Sequence, residues 1–398
     1  MDNKEFIYTF EPINACDGES FASFTLRHRF PAIIDNISHQ FALDGQIKHG
    51  LEWIKSLVAG ASVSEGLFCL GSDRDQWNEW AGTYRGLSWF EMPFYAAEAF
   101  LYRLILEKSG FFTTGIDPFH RQKARDIQQN LLLCHDMLSL IGNLEAQRDC
   151  RPLVRALLEI SLWGNRSDLS QLTMNRDKPG NQSGEYIIID HSEAIADLIC
   201  RGLSRIDLIL DNAGLELFSD LLLARELVHS GLVNEVTLHA KAYPTFVSDA
   251  TLADIRFLLD TLRESAMPSL KDFADSIDSM LATTQMRVVA DPFWNSPLHF
   301  YQMPSSLTHG LRLSDCLIFK GDANYRRLFG DRKLPVDIDP ALLTGYLPAT
   351  GVAIRTLKSE IVSGLPAALK ATLDASDKEW MVNGKYGLLQ VLRRSAGM

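Results

Sequence analysis

The chain has 398 residues, of which 46% are hydrophobic, and 39 basic against 50 acidic side chains give a formal net charge of −11. This acidic balance excludes a general nucleic-acid binder, which needs a basic face, but it allows a phosphorylated small molecule to bind in a locally basic pocket. No apolar run approaches the ~18 residues that a membrane helix needs, so we expect no association with a membrane.

The first twelve residues, MDNKEFIYTFEP, lack the basic flank and apolar core of a signal peptide. The six cysteines are scattered and form no CxxC pair, which argues against a zinc site and against disulfides. Both observations predict a cytoplasmic protein. The pattern gives no indication of the oligomeric state.

Residues from about 20 to 157 are predicted to be mainly helical. Apolar residues recur at helical spacing within 21–34, 95–104 and 128–140, and the many aromatic residues of 77–106 are most simply explained by packing between helices. Asp117-Pro118-Phe119 is a turn that should start a further helix, because proline suits the first helical position.

The character of the sequence changes near residue 157, and the polar, turn-rich residues 174–185 are predicted to form a surface loop or linker. Short apolar strands then alternate with helical patterns, which is typical of a parallel, doubly wound sheet. We therefore predict a helical N-terminal domain (1–157) and a Rossmann-like α/β domain with a mostly parallel sheet (158–398). The predicted strands are 186–190, 206–210, 234–240, 287–290, 314–319 and 351–356.

The stretch 206–216, IDLILDNAGLE, is the centre of the functional prediction. An apolar strand ends in Asp211 and Asn212 and a helix pattern follows, which is where open α/β sheets bind their ligands. Both side chains offer hard oxygen atoms suited to Mg²⁺ or Mn²⁺. The alternative is that one of the two residues only caps the helix.

Three further strands also lead into polar loops. Asp249 follows the strand at 234–240, Asp322 to Arg326 follow 314–319, and Lys358 follows 351–356. Because the carboxyl ends of parallel strands lie at one edge of the sheet, these groups are expected to converge. Plainer interpretations remain, in which Asp322 caps a helix and the basic side chains are solvated.

The convergence suits phosphoryl transfer. A divalent cation on Asp211, Asn212 and Asp249 would neutralise the charge of a phosphomonoester and activate a water molecule. Lys358 and Arg326 are candidates to hold phosphate oxygens, and Asn324 can add hydrogen bonds where its helix starts.

These segments resemble the damage-control phosphatases, in particular the acidic-residue methyltransferase-like branch, which carries an Arg-Thr-x-Lys motif. The matching stretches are 211–218 (DNAGLELF), 246–249 (FVSD), 321–326 (GDANYR) and 355–358 (RTLK), and in the N-terminal half 25–27 (TLR), 117–119 (DPF) and 162–165 (LWGN). The resemblance covers most of the chain, and these motifs are specific when taken together.

The resemblance implies a helical N-terminal region beside a Rossmann-like domain, and a phosphatase that uses Mn²⁺, Co²⁺ or Ni²⁺ in preference to Mg²⁺. Its substrates would be small phosphorylated metabolites, such as sugar phosphates and among them fructose phosphates. Ala323 stands where leucine is common, and 291–304 is more divergent, so specificity residues are expected there. By motif the metal ligands are Asp211, Asn212 and Asp249, and the substrate contacts are these three with Glu216, Asp322, Ala323, Asn324, Tyr325, Arg326 and Lys358.

The sequence leaves the nucleophile open. Asp211 either attacks phosphorus itself, or a water activated by the metal attacks while Glu216 or Asp322 accepts its proton and Asp249 holds the cation.

Two other functions are alternatives. One is an S-adenosylmethionine-dependent carboxyl methyltransferase, which the single Gly214 after the strand fits poorly. The other is a metabolite-binding protein without catalysis, which the complete set of acidic residues disfavours.

Overall fold

The computed structural model of the protein describes residues 3–40, 45–60, 62–145, 148–164 and 186–392, and within them seven strands form one sheet. The order across the sheet is β1-β7-β6-β5-β2-β3-β4, and all neighbours are parallel except β6 and β7. This confirms the predicted α/β class with a mostly parallel sheet. The strands are β1 (Ile187–Asp190), β2 (Leu203–Ile209), β3 (Val233–His239), β4 (Met286–Val289), β5 (Cys316–Lys320), β6 (Thr350–Thr356) and β7 (Gly387–Leu392).

The first six strands lie at the six predicted runs, whereas β7 was not predicted. β7 inserts between β1 and β6, and it pairs antiparallel with β6 through Ala353 and Gln390. Its central Gln390 is buried and bonds to the backbone oxygen of Ser363 (2.8 Å), so a polar residue interrupts the apolar pattern by which a buried strand is identified.

Helices cover both faces of the sheet. Before β1 they are α1 (Asn3–Ile7), α2 (Phe21–Phe24), α3 (Phe30–Gln40), α4 (Gly45–Gly60), α5 (Arg74–Gly82), α6 (Phe94–Lys108), α7 (Phe111–Thr114), α8 (His120–Gln129), α9 (Leu131–Glu145) and α10 (Arg151–Trp163), with a π-helical turn at Thr25–Arg29. After β1 they are α11 (Ser192–Ile199), α12 (Leu215–His229), α13 (Leu252–Glu264), α14 (Pro268–Ala282), α15 (Ser305–Leu311), α16 (Gly321–Leu328), α17 (Pro340–Thr344) and α18 (Ala367–Ser376).

Two apolar cores lie on the two faces of the sheet, because successive side chains of a strand point in opposite directions. On β2, Ile209 belongs to the core that also contains α6, whereas Leu208 and Leu210 belong to the core that contains α10 and α12. β2 and β5 are buried on both faces, and such strands are recognisable from sequence as continuous apolar runs.

Helix α10 runs through residue 157, and each core contains side chains from both halves of the chain. The division into 1–157 and 158–398 stays a prediction. The predicted linker 174–185 and Asn165 of the LWGN motif lie outside the described residues. No helix in the described ranges is both long enough and apolar enough to cross a membrane.

The expectation that the cysteines form no disulfide is wrong for one pair. Cys150, which precedes α10, is bonded to Cys200 at the end of α11, with Cα atoms 6.1 Å apart. They meet because α10 packs on α11, a long-range contact that the cysteine spacing does not encode. The remaining four cysteines, Cys16, Cys69, Cys134 and Cys316, are free.

Candidate active site

Asp211 and Asn212 lie directly after β2, at the carboxyl edge of the sheet, and both are buried. The Asn212 amide donates one hydrogen bond to Asp211 Oδ2 (2.8 Å) and another to Glu216 Oε2 (2.7 Å). Since Glu216 is in the first turn of α12, this amide joins the end of the strand to the start of the helix. The three predicted residues therefore form one hydrogen-bonded group.

Neither Asp211 nor Asn212 caps α12, so the cap interpretation is wrong. The N-cap residue is Gly214, which makes no side-chain cap. Instead, Asp126 from α8 accepts a hydrogen bond from the backbone N–H of Leu215 (2.7 Å). Gly214 has a φ of +73°, and a Cβ atom there would lie 2.0 Å from Asp126 Oδ2, so only glycine allows this approach.

Asp249 is brought to the same edge by the loop that follows β3. An isolated antiparallel bridge pairs Asn212 with Asp249. The backbone N–H of Ala250 donates to Asp211 O (2.7 Å), and the Ser248 hydroxyl donates to Asn212 Oδ1. The three residues predicted as metal ligands are thus adjacent, although they come from different crossover units.

The carboxyl groups in this cluster share a buried region and repel one another. Burial, and then the charges of Glu216 and Asp249, raise the pKa of Asp211 well above its ordinary value. Burial also raises the pKa of Asp249, although the Lys241 ammonium lies 3.3 Å from its Oδ2. Burial is thus the largest cause for both carboxyl groups, and the charges of the neighbouring lysines offset it only in part.

A divalent cation fits this cluster. Asp249 Oδ2 is buried, and the Lys241 ammonium 3.3 Å away makes no well-aligned hydrogen bond to it, so this oxygen keeps lone pairs for a ligand. The oxygens of Asp211, Asn212 and Asp249 are the hard donors that such ions prefer. Among the described residues, no cluster of three or more His, Cys, Asp or Glu side chains is arranged to hold a metal ion, so the candidate set depends on the Asn212 amide.

Helix α16 begins against the Asp211 carboxylate. Gly321 has a φ of +80°, and a Cβ atom there would lie 1.9 Å from Asp211 Oδ2. Asn324 fixes this helix to the end of β2, because its Nδ2 donates to the carbonyls of Leu210 (3.1 Å) and Lys320 (2.8 Å). Asn324 Oδ1 is buried and accepts no hydrogen bond.

Asp322 organises the loop that presents Lys358. Its Oδ1 accepts hydrogen bonds from Arg355 Nε (2.8 Å), the Lys358 backbone N–H (2.9 Å) and the Ser359 hydroxyl (3.1 Å). Burial raises the pKa of Asp322, but the Arg355 charge and these donors outweigh it, so the pKa lies below its ordinary value. The Lys358 charge in turn slightly lowers the pKa of Asp211, against the larger effect of burial.

Two predicted contacts, Arg326 and Tyr325, have their polar groups engaged elsewhere. Arg326 is buried, bonds through Nε and an Nη atom to Asp331 (2.8 and 2.9 Å) and bonds to Glu98 (2.5 Å). The Tyr325 hydroxyl donates to Gln390 Oε1 (3.0 Å), and the half-buried Ala323 packs against a core. The structure does not bring these donors into the Asp211 cluster.

The predicted specificity segment 291–304 contains two 3₁₀ turns, Pro292–Asn295 and Phe300–Gln302. Arg327 is buried and donates to the carbonyls of Phe293 (2.8 Å), Trp294 (2.9 Å) and Leu298 (2.8 Å), so this guanidinium fixes the segment. Its role in specificity stays a prediction.

Sequence reasoning missed the buried lysines that surround the acidic residues. Lys241 follows β3, and Lys320 ends β5, where its ammonium lies 3.0 Å from Asp220 and 3.9 Å from Glu216. A signal was present for Lys320, because it ends the otherwise apolar strand β5, where a cation needs a buried partner.

Comparison with known proteins identifies the family. The family model for the damage-control phosphatase ARMT1-like domain matches residues 25–373. Proteins named damage-control phosphatase ARMT1 from Danio rerio and Homo sapiens are 30% and 29% identical, over 93% and 94% of this chain and 94% and 96% of theirs.

A solved structure of a DUF89 family protein from Pyrococcus horikoshii has a TM-score of 0.51 and 15% identity, over 94% of this chain and 98% of that one, which shows a shared fold. The sequence motifs, the fold and the acidic cluster at the sheet edge agree with this match. The chain therefore belongs to the damage-control phosphatase ARMT1-like family and is a phosphomonoester hydrolase.

Proposed function

We propose that this protein is a metal-dependent phosphatase of small metabolites whose cation is held by Asp211, Asn212 and Asp249. The observation that carries the proposal is the burial of three mutually repelling carboxyl groups, those of Asp211, Asp249 and Glu216, around one amide. Such an arrangement is costly unless a positive charge joins it. When bound, a divalent cation neutralises phosphate charge and lowers the pKa of water.

Glu216 is the proposed proton acceptor for the attacking water. The Asn212 amide donates a hydrogen bond to Oε2 of Glu216. The other oxygen of Glu216, Oε1, is oriented by the more distant Lys320 ammonium (3.9 Å). Asp322 is the weaker candidate, because its lowered pKa and its three donors make it a poor base at neutral pH. We therefore assign Asp322 to the support of Lys358.

Lys358 is the proposed phosphate-binding side chain. It is only partly buried, its backbone is fixed by Asp322, and its charge acts on Asp211. The backbone at Gly321 lies next to the same carboxylate, and the buried Asn324 Oδ1 is an acceptor without a partner that can take a substrate hydroxyl, so these two groups complete the proposed substrate contacts. Arg326 supports α16, the helix that begins at Gly321, through its ion pairs with Asp331 and Glu98.

We further propose Mn²⁺, Co²⁺ or Ni²⁺ as the cation, sugar phosphates such as fructose phosphates as substrates, and the cytoplasm as the compartment. Two carboxylates and one amide leave several coordination positions for water and phosphate, which is what a hydrolytic metal site needs. The damage-control phosphatase name of the relatives supports a small phosphorylated metabolite.

The test measures hydrolysis of an aryl phosphate by protein stripped with a chelator, followed by addition of each divalent metal in turn. Activity should depend on added metal and should fall at least 100-fold in Asp211→Asn and Asp249→Asn, because each change removes a ligand charge. A panel of sugar phosphates and nucleotides, assayed with the best metal, then ranks the substrates.

Asp207→Asn is the matched control. Asp207 is a fully buried carboxylate in β2, the strand that leads into Asp211. It pairs with Arg205 (2.7 Å) and His239 (2.6 Å), outside the Asp211 cluster. This variant should lose stability and keep its turnover. Full activity in the presence of chelator, or equal losses in all three variants, would refute the assignment of the metal site.

A further inference from the structure

The loop that carries Asp249 has an unusual backbone. Phe246 and Val247 both have positive φ, +46° and +67°, although neither is glycine. For a bulky or β-branched residue this conformation is disfavoured and persists only when surrounding contacts enforce it. The next two residues are Ser248, which bonds to Asn212, and Asp249, so the strained turn sets the position of two groups of the candidate metal site.

The contacts that enforce the turn come from the helical first half of the chain. The Phe246 ring stacks on Tyr95 of α6, with centroids 5.5 Å apart and planes inclined by 20°, and it packs at 4.9 Å against Tyr102 of the same helix. Both tyrosines are buried. The ring is therefore a wedge between two side chains that are separated by two helical turns.

The same loop is held at both of its ends. Near its start, the Tyr243 hydroxyl donates to Asp73 Oδ2 (2.7 Å), and Asp73 also accepts from Arg103 (2.8 Å). At its end, the buried Lys123 ammonium donates to the backbone carbonyl of Asp249 (2.9 Å). The loop thus contacts the first half of the chain before, at and after the strained turn.

We propose that Phe246 is a positioning residue of the metal site, which rests on the proposed function. The ring, wedged between Tyr95 and Tyr102, keeps the backbone of Phe246 and Val247 at positive φ. Without the wedge the turn relaxes toward negative φ, because that conformation is lower in energy for both residues. Ser248 and Asp249 then move away from Asn212 and Asp211, and the cation loses a ligand.

The experiment titrates Mn²⁺ into chelator-stripped protein by calorimetry at 25 °C. Phe246→Leu removes the wedge itself and Tyr102→Leu removes one of the two rings that hold it. Each should raise the Kd for Mn²⁺ on the order of 10-fold or more, as is typical when the support of a ligand is removed. Tyr102→Phe keeps the ring and should bind Mn²⁺ as the wild type does. Urea denaturation confirms that each variant is folded at this temperature.

The outcomes separate the two proposals. If wild-type protein takes up no divalent cation, the proposed function fails. If the wild type binds Mn²⁺ and both leucine variants bind it with unchanged Kd while losing stability, Phe246 has only a packing role and the inference is overturned. A raised Kd for Mn²⁺ in both leucine variants, with the Kd of Tyr102→Phe equal to that of the wild type, supports the positioning role of Phe246. Because the two leucine variants are independent, misfolding of one of them does not decide the test.

Discussion

Replacement of Gly321 by alanine tests the geometry of the candidate site directly. The glycine has a φ of +80°, so an alanine there adopts a left-handed conformation at a cost of about 1–2 kcal/mol. In addition, its Cβ atom would lie 1.9 Å from Asp211 Oδ2, and ordinary contact begins at 3.4 Å. The Asp211 carboxylate therefore has to move by about 1.5 Å, and such a misplacement at a reacting centre costs on the order of 100-fold in rate.

Gly231→Ala is the matched control. Gly231 has a φ of +71°, and a Cβ atom there would meet nothing within 4 Å. Gly231→Ala should lose only the backbone penalty, about 1–2 kcal/mol of unfolding free energy by urea denaturation. Gly321→Ala should lose more than this, because its Cβ atom also displaces the Asp211 carboxylate. Only Gly321→Ala should lose turnover of an aryl phosphate at saturating metal. Wild-type turnover in folded Gly321→Ala would refute the role of the Asp211 carboxylate.

Three further results are expected. Arg326→Met leaves the buried Asp331 and Glu98 unpaired and should lower the unfolding free energy by about 3–5 kcal/mol in urea, whereas a loss below about 1 kcal/mol would contradict the ion pair. Asp322→Asn should be less stable than wild type at pH 7. Because the pKa of Asp322 is lower in the folded than in the unfolded chain, this difference should begin to shrink below about pH 4, the ordinary carboxyl pKa, and should vanish only below the lowered pKa of the folded state. Cys200→Ser should cost about 4 kcal/mol under oxidising conditions, because it opens a loop of 50 residues, and should match wild type under reducing conditions.

Much of the fold was predictable because buried parallel strands are continuous apolar runs. Six strands and the convergence of Asp211 with Asp249 follow from this signal and from the rule that ligands bind at the carboxyl edge. β7 was missed because Gln390 interrupts its apolar pattern, and this buried residue is explained only by its tertiary contacts with Ser363 and Tyr325.

The missed parts of the site depend on contacts that are distant in sequence. The cap of α12 comes from Asp126, 89 residues earlier, and no local pattern indicates it. Phe246 has a positive φ and packs against α6, and nothing in the local sequence around this phenylalanine indicates that conformation. Arg326 was predicted to bind the substrate because of its position in the motif at 321–326. Its ion pair with Asp331 depends on the burial of both side chains, which the tertiary fold determines.

The position of the Asp126 carboxylate affects how a phosphate ester can bind. In many phosphate-binding α/β proteins the anion rests on the free N–H groups at the start of the helix that follows the central strand. Here one of these N–H groups is already engaged, because the Leu215 N–H donates a hydrogen bond to the Asp126 carboxylate of the protein itself. If the proposed function holds, an incoming dianion therefore draws its counter-charge mainly from the cation and from Lys358, and the start of α12 offers it one N–H group fewer.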